Sequence, residues 1–462
     1  MHMQLDAHFI APILKNASFH NDSFSINTSV SVDTRTLQKG DIFVALQGEH
    51  VDGHDFIQQA LERGASGFIL AHAKKDFLLK KFGDKLFEKQ LLFVQDTTKA
   101  LIDLATHWRS QFNYPVVAIT GSVGKTTTKE MVHNILKLTK QPFLVSSGNQ
   151  NTLIGVSLNM LKMKPEHHVA VFEIGIGKKG AMKDLAKLLR PTYGLITKIG
   201  HGHLQGLGNL SSISHEKREL FSFFTLDQIG VINGDQKELT SLSYHHPIIR
   251  FGYKTSNHIQ ARKVKIQQNI TSFIAKIYHQ KYPVILQGCN HARVENALAA
   301  ISIGHLLKIP HEILIKGIEQ SITIEGRFQI IPHASGSIFI NDSYNANPES
   351  MKASLLAFQA YQTNLPKIVV IGDMLELGKD TSFWHRQLGK LLNNITHLSF
   401  VILIGDQVQA TKKTLSLGIK SKHFMTVDQA TIFLKDMLLE KNALFLFKGS
   451  HSVGLSDLVT KL

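Results

Sequence analysis

Residues 116–128 read Val-Val-Ala-Ile-Thr-Gly-Ser-Val-Gly-Lys-Thr-Thr-Thr. An apolar, β-branched run breaks into a glycine-rich turn and then into a helical pattern from Lys129 to about Leu138. The order is that of a buried strand, a tight loop and a helix whose N-terminus faces the loop. Gly121 and Gly124 let the backbone curl so that successive N–H groups point inward, where phosphate oxygens accept them. The new helix adds the positive end of its dipole. Lys125 is placed to reach β- and γ-phosphates and the Thr126 hydroxyl to ligate Mg2+, with Ser122 and Thr127 beside them. The loop departs from G-x-x-x-x-G-K-[ST], because Ile119 stands where that pattern has its first glycine. The chain is expected to handle a nucleoside triphosphate.

At 462 residues the chain exceeds one hydrophobic core, so two to four domains are expected. No apolar run approaches a membrane span. The first 30 residues hold Asp6, Asp22 and no apolar stretch of signal type, which points to a cytoplasmic protein. A single cysteine, Cys289, excludes an intrachain disulfide and fits a reducing compartment. The net charge of +15 suits either nucleic acid or a polyanionic small substrate. The lysines are scattered, however, and the densest run, Lys74 to Lys89, reads as one amphipathic surface helix. The expectation is therefore no nucleic acid and no membrane as partner.

Residues 1–96 hold short β-type runs without a phosphate loop, as in a small α/β domain. From residue 97 to 322 strand candidates at 116–120, 169–174, 193–199 and 229–232 alternate with helical patterns, implying a mainly parallel sheet. The phosphate loop follows the first of these strands, at the end where open α/β sheets bind ligands. A second alternation over 323–462, with strands at 337–341, 367–371, 400–404 and 443–447, implies a Rossmann-like third domain. The fold class is thus α/β.

Other residues carry possible chemistry. Glu173 ends the buried-strand pattern VAVFEIG, where a carboxylate can hold Mg2+ or cap a turn. His203 lies in His201-Gly-His203, either a ligand or polar loop filler. Lys217 lies in a charged helical stretch and reads locally as part of a solvated face. Arg327, after Gly326, can contact phosphates bidentately or bridge two domains. Asn341-Asp342-Ser-Tyr344-Asn345-Ala-Asn347-Pro348-Glu349 is a turn followed by a helix start, dense in hydrogen-bonding side chains.

Taken together, the Thr-Gly-Ser-x-Gly-Lys-Thr-Thr-Thr-Lys loop, the Glu173 strand end, the His203 loop and Glu-Lys217 resemble the Mur ligases, ATP-dependent ligases of peptidoglycan synthesis. The likeness spans essentially the whole chain. Asp342–Pro348 and Gly372–Gly378 (GDMLELG) resemble those members that join D-Ala-D-Ala to UDP-N-acetylmuramoyl-tripeptide, whereas the stretch 33–56 (DTRTLQKGDIFVALQG followed by DGHDF) resembles both these and the neighbouring ligase that adds the third residue of the peptide. The resemblance implies a first domain binding the UDP substrate through Thr34, Arg35, Asp52, Gly53 and His54. It implies ATP held by Gly121, Ser122, Gly124, Lys125, Thr126, Thr127, Asn296, Arg327 and Asp342. Mg2+ would be ligated by Thr126, Glu173, His203 and Lys217, the last as a carbamate, with Lys125, Lys217 and His203 catalytic. A monomer is expected, with the third domain closing at a junction near 321–326. Departures from the family pattern are Lys198 in place of Asn, Asn341 in place of Asp, His451 in place of Arg, and one extra residue between His291 and Asn296. Two alternatives remain open: a related amide ligase with another amino substrate, or a phosphate-loop ATPase acting on nucleic acid.

Overall fold

The computed structural model describes residues 5–20, 24–26, 29–288, 290–320 and 324–462. Cys289 and half of the expected hinge, 321–323, lie outside the described residues. The chain packs into two compact units. One gathers residues up to Val116 with Gln141–Ile174 and Asp184–Pro191; the other gathers Val117–Lys140, Gly175–Lys183 and Thr192–Leu462.

In the first unit a five-stranded sheet runs in the order Ser18–Phe19, Gln90–Val94, Gly67–Ala71, Ile42–Val44 and Val30–Ser31. Its neighbours are parallel except the Ser18–Phe19 edge. Phe43, Phe68, Leu70, Leu91 and Phe93 bury one face against Ile57, Ala60, Leu78 and Leu86. Leu78 and Leu86 come from the lysine-rich run, which is not one helix. Lys75–Phe82 and Asp84–Phe87 are separate helices because Gly83 takes φ +50° between them, ending the first. The same unit holds the helix Thr97–Arg109, capped by Asp96 accepting from Lys99 N at 2.9 Å. It also holds the parallel pair Leu144–Val145 and Ala170–Glu173.

In the second unit the strand Val116–Thr120, from Val117 onward, and Tyr193–Ile196, Ile229–Asn233, Ile248–Gly252 and Ile259–Gln267 are successive parallel neighbours. Ile270–Ile277 and Gln280–Gln287 continue as an antiparallel meander. The strands from Ile248 onward escape an apolar-run reading, since much of the meander alternates buried with exposed residues and has one wet face. Because Tyr193–Ile196 lies parallel to Val117–Thr120, the loops leaving both strands open at the same edge. A six-stranded sheet follows in the order Gln329–Pro332, Ile338–Asn341, Leu444–Lys448, Lys367–Gly372, Leu398–Ile404 and Ser421–Phe424. All its pairs are parallel except the first. Phe339, Ile368, Ile402, Phe445 and Phe447 form the core of this α/β module. Asn347 caps the helix Pro348–Ala360 in a capping box with Ser350, as the Asn-Pro-Glu-Ser sequence implies.

Candidate active site

The phosphate loop is shaped by its glycines. Gly121 has φ +152° and Gly124 φ +89°. A Cβ at Gly124 would lie 2.3 Å from Asn296 Oδ1, so only glycine admits the helix Lys125–Thr139 this close to the helix His291–Leu306. The loop is stitched to the segment after Tyr193–Ile196. Ser122 N donates to Lys198 O at 2.6 Å, and Ser122 Oγ donates to Gly200 O at 2.9 Å. Thr197 Oγ1 donates to Val123 O at 2.6 Å. Lys125 Nζ donates to Gly121 O at 2.9 Å, folded back over the loop it would serve.

One cleft gathers Gly124, Thr127, Asn296, Arg327 and Asp342, residues far apart in sequence. Arg327 Nη2 donates to Thr126 Oγ1 at 3.2 Å, and its guanidinium lies 4.0 Å over the Tyr344 ring. The Rossmann-like module thus already reaches the phosphate loop. Asp342 is fixed on both oxygens. Oδ1 accepts from Phe328 N at 3.0 Å, while Oδ2 takes Lys448 Nζ at 2.7 Å and also the Ser354 hydroxyl. Burial pushes the Lys448 amine below the usual lysine range, and Asp342 opposes that. Lys448, Ser354, Arg293 and Asn290 also line the cleft and were not among the expected contacts. The Lys-Gly-Ser-His stretch at 448–451 was the available signal for Lys448.

His201 and His203 follow on the loop stitched to Ser122. His203 takes φ +65° and its Nδ1 lies 2.8 Å from Glu376 Oε2. That hydrogen bond lowers the Glu376 carboxyl below its ordinary range, against the effect of burial. His201 N donates to Glu349 Oε2 at 2.9 Å, and its ring pairs with the same carboxylate. Lys217 is not on a solvated face. It is fully buried in the helix Leu210–Arg218, and its Nζ has no hydrogen-bond partner among the described residues. Desolvation holds it well below the normal lysine range, the Lys125 charge adds to that, and Glu216 opposes it. Glu216 is spent elsewhere, accepting from Gly180 N and Met182 N, each at 2.9 Å.

The remaining candidates sit in the first unit. Glu173 is buried at its strand end, with Oε1 3.3 Å from Asn151 Nδ2 and Oε2 without a partner among the described residues. Asp52 caps the turn Gly53–Phe56, bonds His54 Nδ1 at 2.6 Å and pairs with Lys74. Burial raises its pKa, but the bonds from Lys74 and His54 outweigh that and bring it to about 2. His54 is buried, and its Nε2 accepts from Ala71 N at 2.9 Å, so both ring nitrogens are engaged in building the loop. Gly53 has no room for a side chain, since a Cβ would meet Leu46 backbone at 2.7 Å. Thr34 is buried against Gln59 at 3.0 Å, whereas the Arg35 side chain is exposed beside Asp33.

Family models match in three successive stretches: Mur ligase family, catalytic domain over 27–107; Mur ligase middle domain over 119–304; and Mur ligase, glutamate ligase domain over 326–451. The UDP-N-acetylmuramoyl-tripeptide–D-alanyl-D-alanine ligase of Bacillus subtilis is 31% identical, with 94% of this chain and 92% of the relative covered. The chain belongs to the Mur ligase family. The Escherichia coli ligase of the same name is 30% identical over 94% of this chain and 93% of its own. A crystal structure of MurF from Acinetobacter baumannii superposes with TM-score 0.85 at 28% identity, covering 100% and 99% of the two chains. The Thermotoga maritima MurF ligase in complex with ADP gives TM-score 0.79 at 25% identity, covering 94% and 97%. The three-domain α/β architecture is that of these Mur ligases.

Proposed function

We infer that this Mur ligase joins D-Ala-D-Ala to UDP-N-acetylmuramoyl-tripeptide at the expense of ATP. The observation that supports this most is the convergence of Gly124, Asn296, Arg327 and Asp342 on one cleft, in a chain about 30% identical over nearly its whole length to ligases of that name. The tripeptide carboxylate attacks the γ-phosphorus of ATP, releasing ADP and forming an acyl phosphate. The dipeptide amine attacks the acyl carbon and loses a proton, and the tetrahedral intermediate expels phosphate. Little covalent work falls to the protein, whose task is positioning and charge neutralisation. Residues 1–96 are read as the UDP-substrate domain, 97–322 as the ATP domain and 323–462 as the closing domain. The protein is read as a cytoplasmic monomer; among the described residues no helix is long and apolar enough to cross a membrane.

Mg2+ is read as part of the reaction, held by Thr126, Glu173, His203 and Lys217. The donor chemistry supports this only if Lys217 is modified. A buried neutral amine gives Mg2+, a hard cation, no oxygen to bind; a carbamate on the same nitrogen offers two oxygens and a negative charge. Mg2+ supplies charge neutralisation between the carboxylate and the γ-phosphate. ADP release assayed across a panel of nucleotide-peptides, amines, DNA and RNA tests the reading. Turnover requiring both UDP-tripeptide and D-Ala-D-Ala supports it. Preference for another amine would indicate a sister ligase, and stimulation by nucleic acid would overturn it.

Arg327→Ala is expected to lower kcat on the order of 10²-fold while leaving the affinity for the UDP substrate within a few-fold of wild type. Arg327 touches the phosphate loop through Thr126, whereas the residues read as UDP-substrate contacts lie in the first unit. Steady-state kinetics with separate titration of each substrate checks the split.

A further inference from the structure

The bond between His203 and Glu376 is too exposed to be explained by stability. The His203 side chain is 28% exposed and that of Glu376 59%. Ion pairs of this kind contribute little. Yet both partners are non-glycine residues held in left-handed backbone, φ +65° and +63°, a conformation that costs free energy and clusters at functional sites. The Glu376 loop is fastened from several sides. Gln205 N donates to Glu376 O at 2.9 Å, Leu375 N to Ser450 Oγ at 2.9 Å, and Met374 N to buried His385 Nε2 at 3.2 Å. The carboxylate is therefore delivered to one ring atom, Nδ1, by a segment of the Rossmann-like module.

We propose that Glu376 is a positioning residue for the metal site, holding the proton of His203 on Nδ1 so that Nε2 presents its lone pair to the cation. This rests on the reading of His203 as a ligand. The logic is that of carboxylate–histidine–metal triads, in which the outer carboxylate fixes tautomer and ring orientation. Because the carboxylate comes from the Rossmann-like module, seating that module and completing the ligand are one event.

The test uses Mn2+ as probe, titrated by electron paramagnetic resonance into the full-length protein holding a non-hydrolysable ATP analogue. Glu376→Ala is expected to weaken the His203-dependent Mn2+ site by about 10- to 100-fold. Glu376→Gln, which keeps an oxygen to accept from Nδ1, is expected to recover most of that loss. In ¹⁵N spectra, with the His203 resonances assigned by their absence from His203→Ala, wild type shows the proton on Nδ1, and Glu376→Ala shows both tautomers. A brace with no role at the metal would leave the tautomer and Mn2+ affinity unchanged in Glu376→Ala, which overturns the proposal. Unchanged Mn2+ binding in His203→Ala overturns the reading of His203 as a ligand, and this proposal with it.

Discussion

Lys125→Ala is expected to abolish turnover, by on the order of 10²-fold or more, with the fold intact. The lysine begins the helix Lys125–Thr139, directly after the glycine turn, where backbone N–H groups and the helix dipole already favour phosphate. Its amine lies 2.9 Å from Gly121 O, within the loop, so a short swing of a flexible stem brings it onto β- and γ-oxygens. Removing it leaves the developing charge of the transferred phosphoryl group unbalanced, an effect on kcat more than on UDP-substrate affinity. Circular dichroism and thermal unfolding verify the fold, and ADP release reads the activity. A variant that unfolds like wild type and retains near wild-type turnover would refute the role.

Lys217→Ala is expected to be nearly inactive and Lys217→Arg not to restore activity. The amine is fully buried, lacks a partner among the described residues and is held well below the ordinary lysine range by desolvation and by Lys125. A depressed pKa leaves the amine neutral over a wider pH range. Its lone pair is then available to CO2, forming a carbamate as one N–H proton passes to solvent. An arginine is always charged and forms no such adduct, and so cannot replace it. The sign of the pH dependence follows: as pH falls through the lowered pKa the amine protonates, the carbamate reverts and activity declines. Depleting CO2 and bicarbonate should likewise lower the rate, and adding bicarbonate should restore it. Full activity after thorough CO2 depletion, with an unmodified Lys217 by mass spectrometry of the intact protein, would rule the carbamate out.

Much of this protein is written locally. Short-range signals are decisive where one physical requirement admits few residues. The positive φ of Gly121, packed against Thr197, and of Gly124, packed against Asn296, favours glycine at both turns, and Asn347-Pro348 starts a helix because Asn347 caps it. The apolar strands around them are legible for the same reason, since burial on both faces leaves a continuous apolar run. The strands of the meander were not, because a half-wet strand carries its signal in alternation. Gly83 split a lysine-rich run that its charge pattern alone presented as one helix. The tertiary structure alone decided which side chains meet. Lys217 sits in a charged helical stretch, and only packing removes it from water and changes its chemistry. Arg327 and Thr126 are distant in sequence and 3.2 Å apart in space, and Glu376 reaches His203 from another module. Sequence determines the local conformations that few residues can adopt, whereas burial, charge and contact arise from atoms brought together across the whole chain.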